Sequence, residues 1–248
     1  MKAIILAAGS STRLRPITES LPKGLLKING STIIQRQIEG FRKNGISEII
    51  IIIGPNAEKF NFDDVTYVKD LNYEKHDVLG SLMTAKSEMN SEIITSYSDI
   101  IFDDSIINSL LKFKGDIGIA VDLAWEEKYL NRTEHPKEQA DNVLIENNKI
   151  IKIKKNILDY EKFQLRGEFI GLMKLSENGA KIFVKKYNQM LEFHKGEFQD
   201  APSLEKAYLT DLIQELIDSG KEVLPIFIDG KWREIDTPQD LETANSEF

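Results

Sequence analysis

The chain has 248 residues, 41 % of them hydrophobic and 29 % charged, with no cysteine and a formal net charge of −8. This composition supports a sizeable core, and the absence of a linker-like stretch points to a single domain over residues 1–248. It excludes a disulfide framework, a thiolate metal site and a cysteine nucleophile, and the acidic balance argues against nucleic acid or an anionic membrane as a partner.

The opening MKAIILAAG is too short an apolar run for a secretory leader before Arg13, Arg15 and Lys23 arrive. No stretch approaches the roughly 20 apolar residues of a membrane span, so the expected location is the cytoplasm. Residues 3–6 are apolar and rich in isoleucine, and they run into small residues and Gly9, as a buried strand meets a turn. Ser31 and Thr32 can cap a helix whose Ile34, Ile38 and Phe41 recur at helical spacing before Asn44-Gly45 ends it. Glu48 to Ile53 reads EIIIII, an unalternating run that predicts burial on both faces of a parallel sheet. Strand, helix and strand make a βαβ unit.

The alternation continues with strand 65–68, helix 79–89, strand 92–95, helix 105–113 and strand 117–121. Residues 143–145 and 150–153, on either side of Glu146-Asn147-Asn148, read as an inserted β-hairpin. An apolar segment at 169–173 follows, then helices at 177–190 and 204–218, the second stopped by Ser219-Gly220. Strands at 223–228 and 232–235 come next, and Thr237-Pro238 caps and starts a last helix. The sum is a three-layer α/β/α, Rossmann-like mixed sheet with a hairpin insertion.

Chemistry is expected first in the loop Ala7-Ala8-Gly9-Ser10-Ser11-Thr12-Arg13-Leu14, at the carboxyl end of a sheet strand, where ligands of open α/β folds collect. Small residues let backbone N–H groups approach a triphosphate; the bland alternative is a tight turn. Between Arg13 and Lys27 stand four basic residues and one acidic residue, so an anion site can exist inside an acidic protein. Guanidinium groups fork onto phosphate oxygens, whereas the Lys23 ammonium, fixed by Pro22, acts as a point charge.

LAAGSSTRLRPITESLPKGLLKING, residues 6–30, resembles the sugar-phosphate nucleotidyltransferase superfamily, in which a strand leads to L-A-A-G-x-G-x-R-L-x-P-L-T and then P-K. The family usually has a second glycine where this chain has Ser11. The resemblance implies a fold of nucleotide-diphospho-sugar transferase type and a nucleotide loop running from Leu6 and Ala7 through Ala8, Gly9, Ser10 and Ser11. It further implies Arg13 on the β- and γ-phosphates and Lys23 on the α-phosphate. Asp99, after the strand ending near Thr95, matches the superfamily's metal-binding aspartate. Trp232-Arg233-Glu234-Ile235-Asp236-Thr237 matches its C-terminal W-x-E-I-D-T element, which makes Asp236 the second ligand to Mg²⁺. For each aspartate the competing role is a helix or turn cap. Asp103 and Asp104 read as caps of the helix near Ser105.

Four further segments resemble the cytidylyltransferase branch, which includes phosphocholine and phosphonate-activating enzymes: His76 to Leu82, Arg132 to Pro136, Gly167 to Leu172 and Tyr208 to Leu212. The implied reaction transfers CMP from CTP to a small phosphonate or, second, a phosphate monoester such as phosphocholine, with release of pyrophosphate. Homodimer formation is common in this branch. Gly80 and Ser81 are either the low-bulk floor under the base or simply a helix start. Arg132 is offered for an anionic head, and Glu168, Tyr208 and Asp211 for an amine or hydroxyl, against solvated-loop and helix-capping roles. Trp125, Tyr97, Tyr129 and Tyr208 are available to cage a trimethylammonium. An ionised phosphoryl oxygen needs no general base, so His76, His135 and His194 are read as surface or packing residues. Two rival functions are a sugar-1-phosphate uridylyl- or thymidylyltransferase and a silent regulatory subunit.

Overall fold

The computed structural model describes residues 1–9, 14, 18–19, 21–157 and 163–248. Strand β1 (Lys2–Ala7) is followed by the short pair β2 (Lys27–Ile28) and β3 (Ser31–Thr32), helix α1 (Ile33–Lys43) and strand β4 (Glu48–Ile53). Then come β5 (Thr66–Lys69), α2 (Val78–Thr84), β6 (Ile93–Tyr97), β7 (Ile100–Phe102), α3 (Asp104–Lys112) and β8 (Ile117–Asp122). The hairpin is β9 (Asp141–Glu146) with β10 (Lys149–Lys155), and it leads to β11 (Leu165–Leu175) and α4 (Glu177–Phe193). The chain closes with α5 (Leu209–Asp218), β12 (Leu224–Phe227), β13 (Trp232–Glu234) and α6 (Pro238–Glu247).

The main sheet runs β12, β8, β11, β6, β1, β4, β5, with the hairpin joined along the first half of β11. Strands β6, β1, β4 and β5 are parallel, and β11 runs antiparallel to β6, β8 and β9, which makes the sheet mixed. The isoleucine run of β4 behaves as its sequence predicts. Ile50 and Ile52 join the core shared with Leu79, Leu82, Phe183 and Leu212, while Ile49, Ile51 and Ile53 join the opposite core with Ile38, Phe41 and Leu110. Helices α2, α4 and α5 therefore cover one face and α1 and α3 the other, the three layers expected.

Helix starts follow local chemistry. Thr32 Oγ1 accepts from Gln35 N at 3.1 Å to begin α1, and Asp103 Oδ1 accepts from Ser105 N at 3.1 Å to begin α3. Two expected helices are shorter than their apolar patterns. α2 stops at Thr84, whose hydroxyl turns back onto Ser81 O at 2.7 Å, and a separate turn spans Lys86–Glu88. α5 starts at Leu209 rather than 204, because Asp211 Oδ2 takes Tyr208 N at 2.7 Å in a capping box, and the preceding residues bond to the start of α2 instead. The apolar segment at 169–173 is the middle of a strand twice that length.

Strand β7 escaped the sequence reading, and it matters most for the site. It pairs antiparallel with β13, Glu234 opposite Ile100 and Trp232 opposite Phe102. That two-stranded sheet draws the C-terminal segment across the open end of β6.

Candidate active site

Strands β1 and β6 end side by side, with Ser98 N bonded to Leu6 O at 3.1 Å. The chain after β1 passes through Ala8 and Gly9, and Gly54 at the end of β4 lies so close that a Cβ there would stand 2.6 Å from Ala8 O. Only glycine permits that approach. These strand ends line a cleft of about 680 Å³ with Leu6, Ala7, Ser81, Asp99 and, on the far wall, Tyr208.

Lys23 enters the cleft from a short turn after Pro22 and is itself buried. Its Nζ lies 2.9 Å from Asp99 Oδ2 and 2.5 Å from Asp236 Oδ1, residues 76 and 213 positions away in sequence. The pairing of β7 with β13 explains the meeting. Ile235 N donates to Asp99 O at 2.8 Å, so Asp99, between β6 and β7, and Ile235, just after β13, are fixed next to each other. Asp236 is fully buried, and it is no helix cap. Thr237 caps α6, and Asp240 Oδ2 accepts from the amides of Asp236 at 3.0 Å and Thr237 at 2.9 Å. Burial opposes the Lys23 ammonium, but the carboxylates of Asp99, Asp236 and Glu234 outweigh it and hold the group protonated above its ordinary range.

Two residues that the sequence did not single out as functional complete this centre. His135, 4 % exposed, places Nδ1 3.0 Å from Asp236 Oδ2, and Glu234 lies 3.9 Å from His135 Nε2. His135, Glu234 and Asp236 bring one ligand atom each within 4.8 Å of one another. Burial, together with Asp236 and Asp99, pushes the Glu234 carboxyl well above its usual range. His135 thus packs edge to face on Tyr129, as a buried histidine, and at the same time faces the carboxylate of Asp236. Its signal was its place in the Arg132-to-Pro136 segment. His194, by contrast, bonds to Glu197 O and stacks on Phe198, away from the cleft.

The remaining expectations divide. Arg13, Ser10 and Ser11 lie outside the described residues. Leu6, Ala7, Ala8 and Gly9, read as the nucleotide loop, line the cleft, and so does Ser81, whose hydroxyl donates to Asp70 at 2.7 Å. Gly80 is covered by the His76 ring, so it does not itself border the open space. Arg132 is not available for an anionic head. Its side chain is 5 % exposed, its Nε and one terminal nitrogen clamp Asp240 at 2.6 and 2.9 Å, and it also reaches Glu234 at 3.3 Å. Its charge props the segment that carries Asp236. Asp211 is likewise taken by its capping box and borders a separate groove beside β10.

Glu168 and Tyr208 face the far side. Glu168 is buried, its Oε1 accepts from Tyr129 at 2.6 Å, and it borders a small chamber with Asp141, His135 and Asp236. Burial pushes the carboxyl of Glu168 up to about 8 and that of Asp141 to about 6. Tyr208 lines the main cleft, with the Lys155 ammonium 5.1 Å from its ring centre. The aromatic residues do not form one cage: Trp125 and Tyr129 pack edge to face on each other, and Tyr97 packs on Phe169.

Asp99 Oδ1 is buried with no hydrogen-bond partner among the described residues. An unsatisfied carboxylate oxygen beside a second buried carboxylate is a donor set suited to a hard divalent cation such as Mg²⁺. No helix among the described residues is long and apolar enough to cross a membrane.

A sequence profile of the MobA-like NTP transferase domain matches residues 3–132. The chain is 29 % identical to the CTP:phosphoglutamine cytidylyltransferase of Campylobacter jejuni, with 98 % of each chain covered. It is 28 % identical to the bifunctional protein GlmU of Methanococcus maripaludis, where the whole chain spans about half, 54 %, of that protein. Among solved structures, the CTP:phosphocholine cytidylyltransferase of Streptococcus pneumoniae shares the fold with a TM-score of 0.74 at 22 % identity, over 99 % of this chain and 97 % of that one.

Proposed function

The chain belongs to the MobA-like NTP transferase domain family, and from that premise we propose that it transfers CMP from CTP to a small acceptor bearing a phosphate or phosphonate, releasing pyrophosphate. The observation that carries this reading is the meeting of Asp99 and Asp236 on one ammonium at the open end of β1. CTP is favoured because the Campylobacter relative and the Streptococcus structure are both named for CTP and a phosphate-bearing acceptor.

Mg²⁺ would be held by Asp99 and Asp236. When bound, it supplies charge neutralisation and orientation to the nucleotide phosphates. The protein's own groups do the rest. The backbone beyond β1, with small residues at Ala7, Ala8 and Gly9, admits the phosphates closely. Lys23 supplies a positive charge to the α-phosphate, where negative charge accumulates as the acceptor oxygen arrives. That oxygen is already ionised near neutrality; its lone pair forms the new bond to the α-phosphorus. The bond from the α-phosphorus to the bridging oxygen breaks, and pyrophosphate leaves with that electron pair. No side chain has to remove a proton. Lys155, Lys206 and Tyr208 stand where an acceptor on the opposite wall would find positive charge and a flat apolar face.

The test is to incubate the protein with each NTP in turn and a panel of phosphate monoesters, phosphonates and sugar 1-phosphates, reading pyrophosphate release. Turnover with CTP and a small non-sugar acceptor is expected. Turnover restricted to UTP or dTTP with a sugar 1-phosphate would replace this reading by the uridylyl- or thymidylyltransferase one.

A further inference from the structure

Asp70 takes no part in the chemistry above, yet it is 2 % exposed and densely partnered. It follows the end of β5, and its amide is bonded to Ile53 O at 2.9 Å, which fixes it beside the cleft. Its Oδ1 accepts from Asn72 N at 2.9 Å and its Oδ2 from Ser81 Oγ at 2.7 Å, and both oxygens stand 3.0 Å from His76 Nδ1. A carboxylate can only accept, so Nδ1 carries the hydrogen, and in the neutral ring the lone pair falls to Nε2. Gly80 fixes the ring from beneath: a Cβ there would come within 2.7 Å of the His76 ring. The imidazole borders the cleft beside Tyr73, Asp77 and Ser81, and its Nε2 has no hydrogen-bond partner among the described residues.

A buried acid, a serine and a missing side chain thus hold one imidazole in a single tautomer at the edge of the cavity. Such an arrangement presents a fixed acceptor to a ligand. We propose that His76 selects the base of the nucleotide, its Nε2 accepting from an exocyclic amino group as on cytosine and turning away a carbonyl at the same place as on uracil. The inference rests on the CTP reading above. A uracil O4 opposite Nε2 would set two acceptors against each other with no hydrogen between them, and such a mismatch discriminates more sharply than a lost apolar contact.

Isothermal titration calorimetry with CTP and UTP, each with Mg²⁺ at about pH 8, tests this without knowledge of the acceptor. The wild type is expected to bind CTP at least about tenfold more tightly than UTP. His76→Ala should bring the two nucleotides within about twofold of each other by weakening CTP alone, and His76→Gln, which offers an amide oxygen, should restore part of the preference. If His76→Ala weakens CTP and UTP equally, or leaves their ratio unchanged while the wild type prefers CTP, the assignment of His76 is overturned and the CTP reading stands. If the wild type binds UTP as tightly as CTP, the CTP reading falls and the inference with it. Should His76→Ala fail to fold, His76→Gln decides: a ratio reduced but not abolished supports the inference, and one equal to wild type overturns it.

Discussion

Asp99 and Asp236 differ in what surrounds them, and that difference makes the first prediction specific. Both contact Lys23, but Asp99 keeps a buried oxygen with no hydrogen-bond partner among the described residues, whereas Asp236 is fully enclosed and faces His135. Asp99→Asn and Asp236→Asn keep the shape and remove one negative charge each. Each is expected to lower pyrophosphate release by at least about 100-fold, with an unchanged circular dichroism spectrum. Wild-type-like turnover in either would defeat the metal assignment. Glu168 yields a second prediction, on stability. Burial raises its folded value from 4.5 to about 8, so folding favours its protonated form. That contribution is complete below about pH 4.5 and is lost as pH rises through about 8. Glu168→Gln keeps an acceptor for Tyr129 and cannot ionise. Its melting temperature should therefore gain on the wild type between pH 5 and pH 9; an identical difference at both pH values would show that Glu168 ionises as freely as in water.

The elements show why some of the site was legible and some was not. Strands β1 and β4 and the caps of α1 and α6 rest on local chemistry, an isoleucine run or a threonine before a helix, and the sequence reading found them. The partner of Arg132 is not legible in the sequence, because its clamp on Asp240 spans 108 positions and no local pattern reports such a contact. The same holds for β7, three residues whose strand character depends on a mate more than a hundred positions on. The Arg132–Asp240 clamp gives a prediction at this scale. Asp240 holds the amides of Asp236 and Thr237 and receives Arg132, with 1 % exposure. Asp240→Ala takes the two-point clamp from a buried guanidinium and leaves it only Glu234 at 3.3 Å, and removing one partner of a buried pair costs up to about 3–5 kcal/mol. A drop of several degrees in melting temperature, with loss of turnover, is expected; a variant as stable as wild type would mean that the clamp does not support the loop carrying Asp236.

At the scale of the molecule, the site is assembled from the two ends of the chain. The family profile ends at residue 132, while Asp236, Glu234 and the cap of α6 lie a hundred residues later. Ile235 and Ala244 also close a small core with Leu14, Leu26 and Ile28, so the C-terminal segment both completes the centre and covers the turn that bears Lys23. The two aspartates were singled out by resemblance, Asp99 to a mid-chain element and Asp236 to a C-terminal one. Their meeting was not visible in composition or periodicity, because it needs the sheet order that puts β6 next to β1 and the β7–β13 pair across their ends. A chain ending at residue 228 should keep the far-ultraviolet dichroism of the main sheet, melt at a lower temperature and release no pyrophosphate. Retained turnover would place the centre elsewhere.

The most direct measurement is a crystal soaked with CTP and Mn²⁺ and read by the anomalous signal of the metal. The account predicts a peak within coordination distance of both the Asp99 and Asp236 carboxylates, beside the triphosphate, with the Lys23 ammonium moved onto a phosphate oxygen. A peak that touches neither aspartate, or a bound triphosphate with Lys23 still seated between two metal-free carboxylates, would contradict it.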